Sequence, residues 1–214
     1  MTPARTRIKI CGLRDPAMAQ SAARAGADAV GLVFHDASPR SVDPAQAARV
    51  AAAVPPFVTT VGLFVDAPSS RVEEILAAVP LGLLQFHGDE SPAFCASFGR
   101  PWIKAVRVGE QTDLVECALR FSGASALLLD AFVPGQHGGT GQSFDWSRIP
   151  SALAQRIVLS GGLDPANVGA AIAQVRPWAV DVSSGVESAR GVKDAARIEA
   201  FVRSVKDADA RHGA

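Results

Sequence analysis

Cys11 closes the short run Arg7-Ile8-Lys9-Ile10-Cys11, and Gly12 follows at once. An extended strand sends alternate side chains to opposite faces, so Cys11 shares a face with Lys9 while Ile8 and Ile10 take the other. A strand that is apolar on one side, carries a thiol and an ammonium on the other and stops at glycine suits the presentation of a reactive group at its C-terminal end. The alternative is a small, buried and inert thiol, the commoner fate of a cysteine. Asp130 ends the run Leu127-Leu128-Leu129-Asp130 in the same way. A carboxyl behind three leucines is partly desolvated, which raises its pKa and makes it usable as a general acid near neutrality. Its alternative is a structural aspartate bonded to neighbouring amides. Asp181 shares a face with Ser183 and is a reserve acid.

Other residues suit the grip on an anion. Ser160-Gly161-Gly162 and Ser183-Ser184-Gly185 each follow an apolar run. Glycine lets backbone N–H groups approach an anion closely, and a helix N-terminus adds positive partial charge, so two such ends together predict a phosphate site. Arg40, in Ala37-Ser38-Pro39-Arg40, carries a guanidinium able to pair with a carboxylate through two parallel hydrogen bonds; a solvated surface arginine is the alternative. Gln85 and His87 share a strand face, where a hydrogen-bonded structural histidine is the commoner outcome than a catalytic one. Pro134-Gly135-Gln136-His137-Gly138-Gly139-Thr140-Gly141 is too glycine-rich to be rigid and reads as a flap over the site. No Gly-Lys-Ser/Thr follows it, which excludes a nucleotide phosphate loop.

These residues need elements to hold them. Short apolar runs predict strands at Arg7–Cys11, Ala29–Phe34, Thr59–Val65, Leu81–His87, Trp102–Val108, Ala126–Ala131, Arg156–Ser160 and Ala179–Ser183. Ala-rich segments with helical spacing lie between them. Asp15-Pro16, Asp43-Pro44 and Asp164-Pro165 each place a cap acceptor before a first-turn proline. Ser70 with Glu73 predicts a capping box, and Gly26 a stop to the first helix. The weakest element is a helix around Ser147–Gln155, interrupted by Pro150. Strands alternating with helices imply an α/β fold with a parallel sheet. At about 27 residues per unit the 214 residues fit a closed (β/α)8 barrel, one domain spanning 1–214, without long inserts. An open doubly wound sheet would be expected to carry a GxGxxG turn, and Cys11-Gly12-Leu13-Arg14 is not one. In a barrel, every residue singled out above falls at the C-terminal mouth, where such enzymes keep their active sites.

Composition narrows the chemistry. The 21 basic and 21 acidic residues balance, leaving no electrostatic footprint for nucleic acid or an anionic membrane. Three cysteines and four histidines show no metal-ligand spacing, so no metal is expected. Free thiols fit a reducing cytoplasm; Met1–Arg7 has no apolar h-region, and no apolar run approaches the length of a membrane span.

Lys9-Ile10-Cys11-Gly12, Ser38-Pro39-Arg40, Val61-Gly62-Leu63-Phe64-Val65 and Leu84-Gln85-Phe86-His87-Gly88-Asp89-Glu90 resemble the motif series of phosphoribosylanthranilate isomerases. So do Leu128-Leu129-Asp130, Gly138-Gly139-Thr140-Gly141 with Phe144-Asp145-Trp146, Ser160-Gly161-Gly162-Leu163, and Asp181-Val182-Ser183-Ser184-Gly185-Val186-Glu187. The series runs in order through nearly the whole chain. Phe86, where an aliphatic residue is expected, and Gln136-His137 depart from it. The resemblance implies a (β/α)8 barrel and an Amadori rearrangement in tryptophan biosynthesis. It converts N-(5-phosphoribosyl)anthranilate to 1-(2-carboxyphenylamino)-1-deoxyribulose 5-phosphate, without a cofactor. It implies Cys11 as base, its thiol pKa lowered by an electropositive pocket, and Asp130 as acid. Arg40 would hold the anthranilate carboxylate, and Gly161, Gly162, Ser183, Ser184 and Gly185 the phosphate; His87 and Asp181 line the same mouth. A small phosphorylated aminosugar is then the partner of a monomer or homodimer. The related histidine-pathway isomerase uses a carboxylate where this chain has Cys11, and metal-dependent epimerases need His and Asp pairs that are missing. A non-catalytic binding module would be expected to have lost Cys11 or Asp130.

Overall fold

The computed structural model describes residues 5–131 and 144–211; the glycine-rich segment 134–141 lies outside the described residues. Eight strands close a parallel barrel in sequential order: β1 (Arg7–Cys11), β2 (Ala29–Phe34), β3 (Thr59–Phe64), β4 (Leu83–Phe86), β5 (Trp102–Val108), β6 (Ala126–Ala131), β7 (Ile157–Leu159) and β8 (Ala179–Val182). β1 and β8 seal the ring, Lys9 standing opposite Asp181 and Ile10 opposite Val182.

Alternation decides what each strand offers. Ile8, Ile10, Val30, Leu32, Phe64, Leu84, Leu127, Leu129, Val180 and Val182 point outward into one continuous core shared with the helices. The lower lumen is filled by Leu83, Ile103, Ala105, Ala126, Leu128, Val158 and Ala179. Towards the C-terminal mouth Cys11, Val33, Leu63 and Val65 form a smaller apolar group, and the remaining inward positions are polar. The lumen is therefore a packed plug below and a reactive bowl above.

The helices are α1 (Pro16–Ala25), α2 (Pro44–Ala52), α3 (Ser69–Ala78), α4 (Pro92–Ala96), α5 (Leu114–Arg120), α6 (Val168–Val175) and α7 (Ala195–Arg211). Asp15 and Asp43 cap α1 and α2 as expected, accepting from the amides of Met18 and Gln46. Gly26, with φ 114°, ends α1 in the left-handed region. Asp164 caps a turn, accepting from Ala166 and Asn167, while the helix itself starts later at Val168. The expected capping box at Ser70 and Glu73 does not form: α3 begins two residues earlier than a Ser70 cap requires, its cap position is Pro68, and no side chain caps it. The weak helix between β6 and β7 is two 3-10 turns, Trp146–Arg148 and Ser151–Arg156, because Pro150 cannot donate across the junction.

Four strands are shorter at their C-terminal ends than the sequence predicts. β3 stops at Phe64, β4 at Phe86, β7 at Leu159 and β8 at Val182. Backbone bonds still tether the residues just beyond two of them: His87 N donates to Phe64 O (2.8 Å) and Ser160 N to Leu129 O (2.9 Å). His87, Ser160 and Ser183 each sit one residue past the end of a strand and border the mouth. After β8 a short hairpin, β9 (Glu187–Ala189) with β10 (Val192–Lys193), folds back over the rim.

Candidate active site

The mouth holds a cavity of about 650 Å³ lined by Cys11, Arg40, His87, Asp130, Asp181, Ser183 and Ser184, with Gln85, Ser160 and Glu187. Gly161, Gly162 and Gly185 do not line it; they lie in the loops around it. A larger hollow of about 1160 Å³ lies around β5 and α5, and neither Cys11 nor Asp130 lines it.

Cys11 is 4% exposed. It fits because Gly31 stands beside it on β2: a Cβ there would lie 2.8 Å from the Cys11 sulfur, so any larger residue displaces the thiol. Lys9, one layer below, donates to Asp181 Oδ1 at 2.8 Å, and both are buried. Burial works against the Lys9 charge, but Asp181 outweighs it and the ammonium titrates above the ordinary lysine value. Burial dominates the thiol too and pushes it up from its ordinary 9.0, although Lys9 and Lys193 both pull it down. The expected lowering by an electropositive pocket is therefore corrected: the cations are present, and desolvation wins. The ultraviolet thiolate absorbance of the protein minus that of Cys11→Ala should accordingly have its midpoint above pH 9.0. A midpoint below that value would mean that the two lysines outweigh burial.

Asp130 is buried at the end of β6. Its Oδ2 meets His87 Nε2 at 3.2 Å and its Oδ1 accepts from Ala131 N at 2.9 Å. Gln85 Nε2 lies 3.0 Å from His87 Nδ1. With the Gln85 amide donating, Nδ1 accepts, and the ring carries its proton on Nε2, aimed at Asp130. The shared face of Gln85 and His87 is as expected, and its use is to orient one carboxylate. Gly161 packs against that carboxylate from the loop after β7: φ is 83°, and a Cβ would come within 2.6 Å of Ala131 N and 3.1 Å of Asp130 Oδ1. Asp181, the reserve acid, is the counterion of Lys9 and lies 3.3 Å from Ser160 Oγ.

Arg40 is buried, contrary to a solvated surface arginine. Its Nε and Nη2 donate to Glu187 Oε1 (2.6 Å) and Oε2 (2.9 Å). The two parallel bonds foreseen for it are made, but to a carboxylate of the chain itself. Lys193 Nζ donates to Glu187 Oε1 (2.7 Å) and to Ser183 O (2.9 Å), and the Ser183 hydroxyl donates to Cys11 O (3.1 Å). Burial pushes Glu187 up, yet its bonds to Arg40 and Lys193 hold it down at about 2. Reading the sequence for reactive types passed over Glu187 and Lys193. They flank an exposed turn with no periodicity, and only the fold brings them under the rim.

Taken together, a (β/α)8 barrel with a thiol, an oriented carboxylate and buried cations at its mouth defines an enzyme that moves protons on a small anionic substrate. Residues 8–204 match the family of N-(5'-phosphoribosyl)anthranilate (PRA) isomerase. An N-(5'-phosphoribosyl)anthranilate isomerase of Pseudomonas putida is 59% identical over 202 residues, covering 94% of this chain and 98% of that protein. One from Thiobacillus denitrificans is 58% identical over 200 residues, with the same coverage. The crystal structure of phosphoribosyl anthranilate isomerase from Thermotoga maritima superposes with a TM-score of 0.86 at 40% identity, covering 94% of this chain and 99% of that one. A further structure of such an isomerase, in complex with reduced 1-(o-carboxyphenylamino)-1-deoxyribulose 5-phosphate, gives a TM-score of 0.79 at 37% identity, covering 94% of this chain and 99% of that one. The chain belongs to the phosphoribosylanthranilate isomerase family.

Proposed function

We propose that Cys11 and Asp130 are the base and acid of an Amadori rearrangement that turns N-(5'-phosphoribosyl)anthranilate into 1-(2-carboxyphenylamino)-1-deoxyribulose 5-phosphate. The observation that carries the assignment is the pairing of one thiol and one oriented carboxylate around a single cavity. Asp130 gives a proton to the furanose ring oxygen; the C1–O bond breaks and the nitrogen lone pair forms an iminium. The iminium acidifies the C2–H bond, and Cys11 as thiolate takes that proton, leaving an enolamine. The Cys11 thiol returns that proton to C1 and the C2 hydroxyl proton passes to the Asp130 carboxylate, which gives the ketone and restores both groups, with no net gain or loss of atoms or electrons. The thiol is neutral at rest because it is buried. It gives its proton to water in the mouth as the cationic iminium forms beside it, because that positive charge favours the thiolate.

Arg40 holds the anthranilate carboxylate, and the loops of Gly161-Gly162 and Ser183-Ser184-Gly185 hold the phosphate through backbone N–H groups. The short 3-10 turn Ser184–Val186 directly after β8 supports the latter, since a small helix at this place is a recurrent phosphate cradle of such barrels. Fixing both ends of the substrate sets the ribose carbons between acid and base. Residues 1–214 act as one catalytic domain, in the cytoplasm, as a monomer or homodimer. No described helix is long and apolar enough to cross a membrane. The decisive assay generates the substrate in situ from anthranilate and phosphoribosyl pyrophosphate with an added transferase and follows loss of its fluorescence. No loss above the rate without this protein rejects the reading.

Among the described residues no group of three or more His, Cys, Asp and Glu stands together as metal ligands. Every proposed step on the substrate moves a proton to or from a side chain. Exhaustive EDTA treatment should leave the rate unchanged, and added Zn²⁺, Mn²⁺ or Mg²⁺ should not raise it. Activity lost on chelation and restored by one ion would make the reaction metal-assisted and Cys11 a ligand.

A further inference from the structure

We propose that Glu187 is the positioning residue that aims Arg40 at the substrate's carboxylate, an inference that rests on the isomerase reading above. Glu187 is buried and both its oxygens are used twice. Oε1 accepts from Arg40 Nε and Lys193 Nζ, and Oε2 from Arg40 Nη2 and the amide of Gly191. The guanidinium is thereby locked by its Nε–Nη2 edge onto the β9–β10 hairpin, while Arg40 itself springs from the loop after β2. A free arginine side chain samples many rotamers and loses that freedom on binding an anion. Arg40 has lost it before any substrate arrives, so the carboxylate meets a preorganised cation.

Charge counting supports a ligand here rather than a simple staple. Arg40 and Lys193 bring two positive charges, and Glu187 brings one negative. The neighbouring Lys9–Asp181 pair is self-neutral. Arg197 adds a third cationic group by donating to the Glu187 backbone oxygen, and although burial pulls Lys193 below the ordinary lysine value, cations outnumber the carboxylate on the wall of the cavity that Arg40 and Glu187 both line. A buried charge calls for an opposite partner. The anthranilate carboxylate supplies it.

A competing role is open to the same geometry: Glu187 could occupy Arg40 in the substrate's place and have to be displaced. The two roles predict opposite signs. If Glu187 aims Arg40, Glu187→Gln raises KM roughly 10-fold and lowers kcat by less than about 3-fold, the scale of one charge-assisted hydrogen bond. If it competes, KM falls, and the inference is overturned. A double-mutant cycle tests whether Glu187 acts through Arg40. Arg40→Ala alone should raise KM roughly 30-fold, and Arg40→Ala with Glu187→Gln should give the same roughly 30-fold. A product near 300-fold would show two independent effects, as a purely structural Glu187 requires. Should Glu187→Gln fail to fold, Glu187→Asp keeps a carboxylate for Lys193 but is one methylene too short to span both Arg40 nitrogens. It should raise KM at least about 3-fold at an unchanged melting temperature, and a wild-type KM there also overturns the proposal. The wild-type rate is measured first. An inactive wild type rejects the isomerase reading, and this inference with it; an active wild type with a multiplicative cycle rejects the inference alone.

Discussion

Cys11→Ala and Asp130→Asn each lower kcat by roughly 10²-fold or more, the usual contribution of a general base or acid, and leave KM nearly as it was. The structure says why the fold survives both changes. Cys11 makes no side-chain bond that closes the barrel; it fills the gap beside Gly31, and alanine leaves only a small void at the mouth. Asparagine keeps the shape of Asp130 and can still accept a hydrogen bond in the place where His87 Nε2 and Ala131 N hold the carboxylate. Each variant thus removes a proton-transfer group and little else. Steady-state kinetics on the purified variants decide the matter, and turnover near wild type in either one removes that residue from the mechanism.

Arg40→Ala should raise KM for the anthranilate-bearing substrate roughly 30-fold while affinity for ribose 5-phosphate stays within about 2-fold, because a bidentate, charge-assisted contact to a carboxylate is lost and the phosphate loops are untouched. The bonds of Lys193 to Glu187 and Ser183 remain, so the hairpin keeps its tie to the rim and Cys11 keeps a nearby cation. The contrast between the two ligands is the informative result. It is read by titrating each ligand into wild type and variant. Equal weakening for both would place Arg40 at the phosphate, or give it a general structural role.

The barrel was legible because its signals are local and repeated. Alternation in Arg7–Cys11 separates an outward pair, Ile8 and Ile10, from an inward pair, Lys9 and Cys11, and the folded strand keeps that division. Asp-Pro steps at Asp15 and Asp43 announce helices because a side-chain acceptor and a fixed φ act within one turn. Ser70 and Glu73 misled because Pro68, already extended, took the cap position first. The mouth residues Cys11, His87, Asp130, Asp181, Ser183 and Ser184 could be gathered on one cavity from strand ends, and Arg40 from the loop after the second strand. What spacing could not supply was the balance among them. Whether two cations or burial governs a thiol depends on how tightly the barrel closes around it. Whether Arg40 is free or held depends on Glu187, which is 147 residues away in sequence.

The depth of Cys11 also bears on how long such an enzyme lasts. Oxidants and alkylating agents attack the thiolate, and they must reach it. At rest this sulfur is neutral, 4% exposed and walled by Val33 and Leu63. Peroxide that enters the cavity meets a neutral thiol, which lacks the charge that conversion to sulfenic acid needs. With Cys11 as the proposed base, the barrel would keep a chemically soft group in its less reactive, neutral form until a substrate fills the mouth.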